Sequence, residues 1–164
     1  MVIVCRVMIS NTLLPGSSFV STNKQNKNKK HTIMENQTLA VVKDFVTAVQ
    51  QVNLEKLGAL LHPDITWEQP GNSRFSGTKK SSGEVFQMVG GMFEVSQNTM
   101  ALTDIKSITV NGDQAAVLLH WKASRPGATL DTDNVDVYTV KDGQIVAAKV
   151  YAADLAQEDH FWGN

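Results

Sequence analysis

The sequence predicts an α+β domain in which helices come first and an antiparallel sheet follows. Apolar residues recur at helical spacing between positions 39 and 61 and again between 85 and 93, whereas from position 100 the apolar period is two. Helical and strand patterns are therefore segregated along the chain instead of alternating, which is typical of α+β proteins. The length of 164 residues and the hydrophobic content of 42% fit one domain.

The first 33 residues differ in composition from the rest of the chain. They hold no acidic residue and five basic ones, which are Arg6, Lys24, Lys27, Lys29 and Lys30. Positions 21–30 are polar and of low complexity, so they offer nothing to bury. A signal peptide is poorly formed, because a basic residue interrupts the apolar stretch. We predict that residues 1–33 are a disordered or misannotated extension and that the domain covers residues 34–164.

Charge and cysteine content narrow the classes of partner. Setting those five aside leaves 10 of the 15 basic residues against 16 acidic ones, so residues 34–164 carry a net charge of about −6. A domain of this sign is a poor nucleic-acid binder. Cys5 is the only cysteine, so no internal disulfide or Cys-based zinc site forms. No apolar run approaches the roughly 20 residues that span a bilayer. We expect a cytoplasmic protein that binds neither nucleic acid nor membrane.

Two helices and a short strand are predicted first. An amphipathic first helix is indicated by apolar residues at Leu39, Val42, Phe45, Val46, Val49 and Val52. Asn53 can cap a second helix, whose apolar residues are Leu54, Leu57, Leu60 and Leu61. The residues His62-Pro63-Asp64 end that helix. A strand is predicted from Ile65 to Gln69, and a loop from Pro70 to Lys80.

A third helix begins at a capping box formed by residues 81–84, Ser-Ser-Gly-Glu. Its apolar face carries Val85, Met88, Val89, Met92 and Phe93. Gly90 and Gly91 weaken this helix, so a kink or a close backbone approach is expected there.

Four strands and a terminal helical turn complete the prediction. The strands are Met100–Val110, Gln114–Ala123, Thr129–Val140 and Gln144–Tyr151, joined by turns at residues 111–112, 125–127 and 141–143. Residues 154–162 form the terminal turn. The predicted order is α-α-β-α-β-β-β-β, with three N-terminal helices packed on a curved antiparallel sheet. The space between the helices and such a sheet is a natural pocket.

Asp136 is the residue that most strongly suggests chemistry. It lies in a strand that otherwise reads as half-buried, on the same face as Asn134 and Tyr138 and opposite Val135 and Val137. A carboxylate on a packed face is costly unless it is paired, hydrogen-bonded or protonated. The alternative is that this face is wet and that Asp136 is an ordinary surface acid.

Several short segments together resemble a known superfamily. They are Asn53-Leu54-Glu55, Leu60–Trp67, Gly77, Val135–Tyr138, Asp142–Ile145 and Asp154–Gly163. Over roughly residues 36–163 the chain resembles the nuclear-transport-factor-2-like superfamily, and within it the SnoaL-like group of polyketide cyclases. The resemblance implies a cone-shaped fold, a homodimer through the outer sheet face, and a pocket for a small, mostly apolar ligand. It does not specify a reaction, because the fold hosts many.

Ketosteroid isomerases of this superfamily combine a carboxylate base with an oxyanion hole made of a Tyr and a protonated Asp. Aligned without gaps, this chain has Phe45 at the position of that Tyr and Gln69 at the position of the base, and only Asp136 matches. Phe45 has no hydroxyl and Gln69 cannot take up a proton near pH 7. Isomerisation by that dyad is therefore not expected.

SnoaL-type cyclases use a His and an Asp on neighbouring strands, and the corresponding candidates here are His120 and Asp136. If the intervening hairpin centres on Pro126, His120 shares a face with Asp136. If it centres between Pro126 and Gly127, Trp121 takes that place and His120 points away.

The expected ligand-binding residues are Trp67, Phe45, Tyr138, Gln69 and Asn134. The expected chemistry is cofactor-free acid–base catalysis, such as cyclisation, isomerisation, dehydration or hydrolysis. No metal is predicted, because the His and acidic residues near positions 62–64 and 158–160 lack a third ligand at a suitable spacing. The sequence leaves open whether the chain is an enzyme or a non-catalytic ligand-binding or dimerisation module.

Overall fold

A computed structural model of the protein describes the backbone of residues 18–163 and the side chains of residues 25–163. Its helices are α1 (Ser18–Gln50), α2 (Leu54–Leu60), α3 (Ser82–Val95) and α4 (Leu155–Trp162). Its strands are β1 (Leu61–Gln69), β2 (Gly77–Lys79), β3 (Ala101–Asn111), β4 (Gln114–Arg125), β5 (Ala128–Lys141) and β6 (Gln144–Ala152). The predicted α+β class is confirmed. No helix within residues 18–163 is long and apolar enough to cross a membrane.

Helix α1 begins well before the expected start of the domain. Residues 18–33 belong to the segment that we predicted to be a disordered or misannotated extension, and here they form the first part of this helix. The rest of the predicted extension lies outside the described residues. The described side chains of residues 25–34 are exposed. Packing begins at Thr38, whose hydroxyl donates a hydrogen bond to the Gly112 carbonyl at 2.9 Å. The exposed N-terminal half of α1 is therefore an extension of a helix that packs on the rest of the domain from Thr38 onward. The domain boundary at residue 34 stays a prediction.

The predicted helix caps are confirmed. The Asn53 side chain accepts a hydrogen bond from the Lys56 N–H at 3.0 Å at the start of α2. Ser81 Oγ accepts from the Glu84 N–H at 3.2 Å at the start of α3. The Glu84 carboxylate reaches back to the N–H of Lys80 at 2.7 Å, one residue before the cap. Each cap satisfies backbone donors that the first helical turn leaves free.

The sheet is mixed, which corrects the prediction of a purely antiparallel sheet. Its strand order is β2-β1-β6-β5-β4-β3, and β1 runs parallel to β6 while the other neighbours are antiparallel. The predicted loop contains the short strand β2, which pairs with the end of β1. Strand β1 starts at Leu61 and passes through Pro63 where its ladder with β6 is irregular. Proline has no N–H to donate to a neighbouring strand, and an irregular stretch of the ladder does not need that hydrogen bond.

The concave face of the sheet packs against α1 and α3, and α4 packs against β5. The core includes fully buried residues such as Val42 on α1, Ile65 on β1 and Phe161 on α4. The Gly90-Gly91 pair lies inside an uninterrupted α3. A Cβ at Gly91 would lie 2.8 Å from the Phe75 ring, whereas one at Gly90 would meet nothing within 4 Å. The expected close approach thus occurs at Gly91 only, where the Phe75 ring lies against the helix backbone.

Candidate functional site

A cavity of about 180 Å³ lies between the helices and the concave face of the sheet. Its wall is mainly apolar, with contributions from all four helices and from strands β1 and β3–β6. All three tryptophans of the chain line it, namely Trp67, Trp121 and Trp162. The polar groups of interest in the wall are Gln69, Asn134, Asp136, Tyr138 and Glu158. The cavity is thus an apolar space with a small polar patch.

Strand β5 supplies most of that patch. Its alternation turns Asn134, Asp136 and Tyr138 inward, and they are only 7%, 4% and 1% exposed. Asp136 lies opposite Val117 on β4 and Val150 on β6, in the interior of the sheet. The alternative that Asp136 is an ordinary surface acid is therefore wrong.

The carboxyl group of Asp136 has one satisfied and one unsatisfied oxygen. The Tyr138 hydroxyl donates a hydrogen bond to Oδ2 at 2.8 Å, whereas Oδ1 has no partner among the described residues. Burial raises the pKa of Asp136 to about 7; the hydrogen bond from Tyr138 opposes this rise and the charge of Glu158 adds to it. Near neutral pH the group is therefore populated in both protonation states, as a group that exchanges protons requires.

Tyr138 keeps its phenolic proton and therefore acts as a hydrogen-bond donor to Asp136. Burial raises the pKa of its phenol well above the ordinary value, and the neighbouring Asp136 adds to the rise through its charge and the hydrogen bond. The ring packs edge-on against Phe45 at a centroid distance of 5.3 Å and lies 6.2 Å from Trp67. These contacts hold the hydroxyl toward Asp136.

Glu158 is a second buried carboxyl in the cavity wall. From the sequence it was considered only as a metal ligand, and no metal was predicted there. It is 4% exposed, and burial is the main cause that raises its pKa. The side chain of Asn134 hydrogen-bonds to it and opposes that rise, while the charges of Asp159 and Asp154 add to it. Glu158 precedes the buried Phe161 and Trp162 by three and four residues. This helical spacing was the available signal that it faces inward.

His120 does not reach the cavity, so the predicted pairing of His120 with Asp136 is not formed. The β4–β5 hairpin pairs Arg125 with Ala128, so it centres between Pro126 and Gly127. This register places Trp121 in the cavity wall and His120 on the outer face.

On the outer face His120 lies in a network of charges. Its Nδ1 is 2.6 Å from an oxygen of Asp133 and its Nε2 is 3.0 Å from one of Asp131. Lys106 and Lys122 bridge to the same two carboxylates at 2.7 and 3.0 Å. His120 therefore belongs to a surface ion-pair network.

The remaining predicted ligand-binding residues all line the cavity. Trp67 donates its indole N–H to Gln69 Oε1 at 3.1 Å, which orients both side chains. The neighbouring Glu68 points to the outer face, where it pairs with Lys149 at 2.9 Å. Among residues 18–163, no three His, Cys, Asp or Glu side chains are grouped so that they could hold a metal ion.

Comparison with known proteins agrees with this architecture. The profile of the SnoaL-like domain matches residues 42–148. A protein of unknown function with a cystatin-like fold from Xanthomonas campestris is 38% identical, with a TM-score of 0.75 over 77% of this chain and 98% of that one. An uncharacterised protein of Mycobacterium tuberculosis is 26% identical over 125 residues, which are 76% of this chain and 95% of that protein.

TerC, crystallised with polyporic acid, has a TM-score of 0.67 at 18% identity, over 77% of this chain and 99% of TerC. At that identity the likeness shows the fold alone. The profile match runs from the second half of α1 into β6 and includes the strand that carries Asp136, and the Xanthomonas relative covers 77% of this chain. The chain therefore belongs to the SnoaL-like domain family, within the fold class of nuclear-transport-factor-2-like proteins.

Proposed function

We propose that this protein binds a small, mostly apolar ligand in its cavity and performs cofactor-free acid–base chemistry on it, with Asp136 as the proton-exchanging group. One observation carries the proposal. The Asp136 carboxyl is buried in an apolar wall. Within the described part of the chain it accepts one hydrogen bond, from Tyr138, and its second oxygen has no partner. A buried carboxyl of this kind costs folding stability, so it suits a functional site better than a structural one.

The chemistry follows from the two states of the carboxyl. The ionised form can remove a proton from a carbon next to a carbonyl group or from a hydroxyl group of the ligand. The resulting neutral acid can return that proton at another atom, so the protein is restored and no external reactant is consumed. A pKa of about 7 is close to the optimum for such an exchange at neutral pH. Cyclisation, isomerisation and dehydration all fit this scheme.

The dimensions of the cavity indicate the size of the ligand. An engineered cavity of about 150 Å³ in another protein holds benzene. The cavity here, at about 180 Å³, accordingly suits a compact ligand of one or two rings. Phe45, Trp67 and Gln69 would shape the space around it. The crystallisation of TerC with polyporic acid supports a small-molecule role for this fold.

Menthone provides a test, because it is a compact neutral ketone with exchangeable hydrogens next to its carbonyl group. Binding is read from tryptophan fluorescence, since every tryptophan lines the cavity. Catalysis is read by NMR as deuterium uptake from D₂O. We expect binding to the wild type and to Asp136→Asn, and faster exchange than in buffer only with the wild type. Binding without exchange by the wild type would favour a non-catalytic binding module, and no binding would refute the ligand cavity.

The outer sheet face supports the second part of the proposal, a homodimer. Val135 and Tyr151 lie opposite each other in the β5–β6 ladder and are 38% and 50% exposed. Exposed apolar side chains on a sheet face that the described residues leave uncovered suit a second copy of the same face. Sedimentation velocity should give a dimer for the wild type and a monomer for Tyr151→Lys. A monomeric wild type would refute this interface.

We also propose that the protein acts in the cytoplasm. The single cysteine supports this, because proteins of oxidising compartments often carry several cysteines that pair as disulfides. Fractionation of cells that express the full chain would test it, and recovery outside the cytoplasmic fraction would contradict it.

A further inference from the structure

A second polar subsite lies beside Asp136 in the cavity wall. Asn134 precedes Asp136 by two residues on β5, which places the two Cα atoms about 7 Å apart on the same face. Glu158 reaches this subsite from α4 and interacts with both side chains, by a hydrogen bond with Asn134 and through its charge with Asp136. The proposed acid–base chemistry uses neither Asn134 nor Glu158.

The orientation of the Asn134 amide is fixed by what it contacts. Asn134 and Glu158 interact in the cavity wall, and an ionised carboxylate accepts hydrogen bonds only, so the Asn134 NH₂ is the group that suits Glu158. The Asn134 carbonyl oxygen is then left over, and it has no hydrogen-bond partner within the described part of the chain. The subsite therefore presents two unpartnered buried acceptors, Oδ1 of Asn134 and Oδ1 of Asp136.

An unpartnered buried acceptor favours a ligand that brings a donor. Leaving such an oxygen unsatisfied costs free energy, so a ligand that brings a matching hydroxyl should bind more tightly than an analogue of the same shape that lacks it. Both oxygens are buried, so a ligand contacts them when the side chains turn toward the cavity that both residues line. The residues described as lining this cavity include two acidic side chains and no Lys, Arg or His. An anionic ligand would therefore meet like charges without a counter-charge.

We infer that Asn134, held in orientation by Glu158, selects an uncharged ligand with two hydrogen-bond donors, one for Asn134 and one for Asp136. This inference rests on the proposed function, because it names the class of molecule that the same cavity takes. Compact alicyclic or aromatic diols belong to this class, and carboxylic acids and phosphate esters do not. Asn134 sets specificity, and Glu158 is a positioning residue that acts through it.

Four menthane derivatives test the selection at pH 8, where Asp136 is mostly ionised. They are p-menthane with no hydroxyl, menthol with one, the menthane diol with hydroxyls on the ring and the isopropyl group, and menthane carboxylate. All four are transparent at the wavelengths of tryptophan fluorescence. We expect the diol to bind about tenfold tighter than menthol, because it satisfies one further buried acceptor. The carboxylate should bind at least tenfold more weakly than menthol.

Variants of Asn134 and Glu158 then test whether these residues cause the preference for the diol. Asn134→Leu should reduce the preference for the diol over menthol to about one while menthol binding persists. Glu158→Gln should reduce that preference and weaken the rejection of the carboxylate. Thr132→Val is the matched control, because Thr132 is a buried polar residue of β5 outside the cavity wall and its replacement should leave the preference intact.

The outcomes separate the two proposals. If none of the four compounds changes the fluorescence, the ligand cavity itself is refuted and this inference falls with it. If menthol binds but the diol binds no tighter, or if Asn134→Leu keeps the full preference, the inference alone is overturned. If Asn134→Leu fails to fold, the relative affinities of the wild type for the diol, menthol and the carboxylate still test the inference.

Discussion

Replacing Asp136 by asparagine should make the protein more stable at pH 8 while it abolishes proton exchange. The substitution preserves the shape of the side chain and an acceptor for the Tyr138 hydroxyl. In the wild type this hydroxyl donates to Asp136 Oδ2 at 2.8 Å. It removes a carboxyl that burial makes costly to ionise. A change that gains stability and loses activity is the behaviour expected of a functional residue under strain.

The magnitude follows from the two pKa values of Asp136. Its ordinary value is 3.8 and the folded protein raises it to about 7, so folding favours the protonated form. Asp136 therefore costs no stability below about pH 4, and the cost grows as the pH rises through the interval between the two values. At about 1.4 kcal/mol for each pH unit, it levels off near 4 kcal/mol above pH 7. Between pH 5 and pH 8 the change is roughly 3 kcal/mol.

Denaturant unfolding of the wild type and Asp136→Asn at pH 5 and pH 8 measures this change. The variant should gain roughly 3 kcal/mol relative to the wild type on going from pH 5 to pH 8. Asp113→Asn is the matched control, because Asp113 is an exposed aspartate in the β3–β4 turn and should show no such gain. If the difference between Asp136→Asn and the wild type were the same at both pH values, the account of a costly buried carboxyl would be refuted.

Four other substitutions test further features of the site and the fold. Tyr138→Phe removes the hydroxyl that satisfies a buried carboxyl oxygen, and should cost about 1–3 kcal/mol in denaturant unfolding; an unchanged stability would contradict the hydrogen bond. Gly90→Ala should stabilise α3 by about 0.5–1 kcal/mol, whereas Gly91→Ala should destabilise it by about 1–3 kcal/mol, because only the latter meets the Phe75 ring; equal effects would refute that contact. His120→Ala should leave menthone binding and exchange unchanged and alter stability by at most about 1 kcal/mol; lost exchange would return His120 to the active site.

The helices and the faces of the strands could be predicted because both depend on local patterns. The caps at Asn53 and Ser81 and the inward face of β5 follow from residue type and spacing alone. The parallel pairing of β1 with β6 could not be predicted this way, because period-two alternation specifies a strand's faces and not its partner. The helical start of α1 could not be predicted either, because the polar composition of this segment offers no buried face.

The candidate site was predictable where it depended on alternation and was missed where it depended on register or charge. Asn134, Asp136 and Tyr138 follow from the period of β5. The choice between His120 and Trp121 depends on where a hairpin turn centres, and a shift of one residue exchanges them. Glu158 was overlooked because a charged residue near a chain end is usually exposed, and only its spacing to two buried aromatic residues indicates otherwise.

The most direct test of the central claim is an NMR titration of the Asp136 side-chain carboxyl in the ligand-free protein, assigned by comparison with Asp136→Asn. The account predicts a midpoint near pH 7, because the group is buried in an apolar wall with one hydrogen bond from Tyr138. It also predicts that the midpoint shifts when the menthane diol occupies the cavity. A midpoint near the ordinary value of 3.8 would contradict the claim that Asp136 exchanges protons at neutral pH.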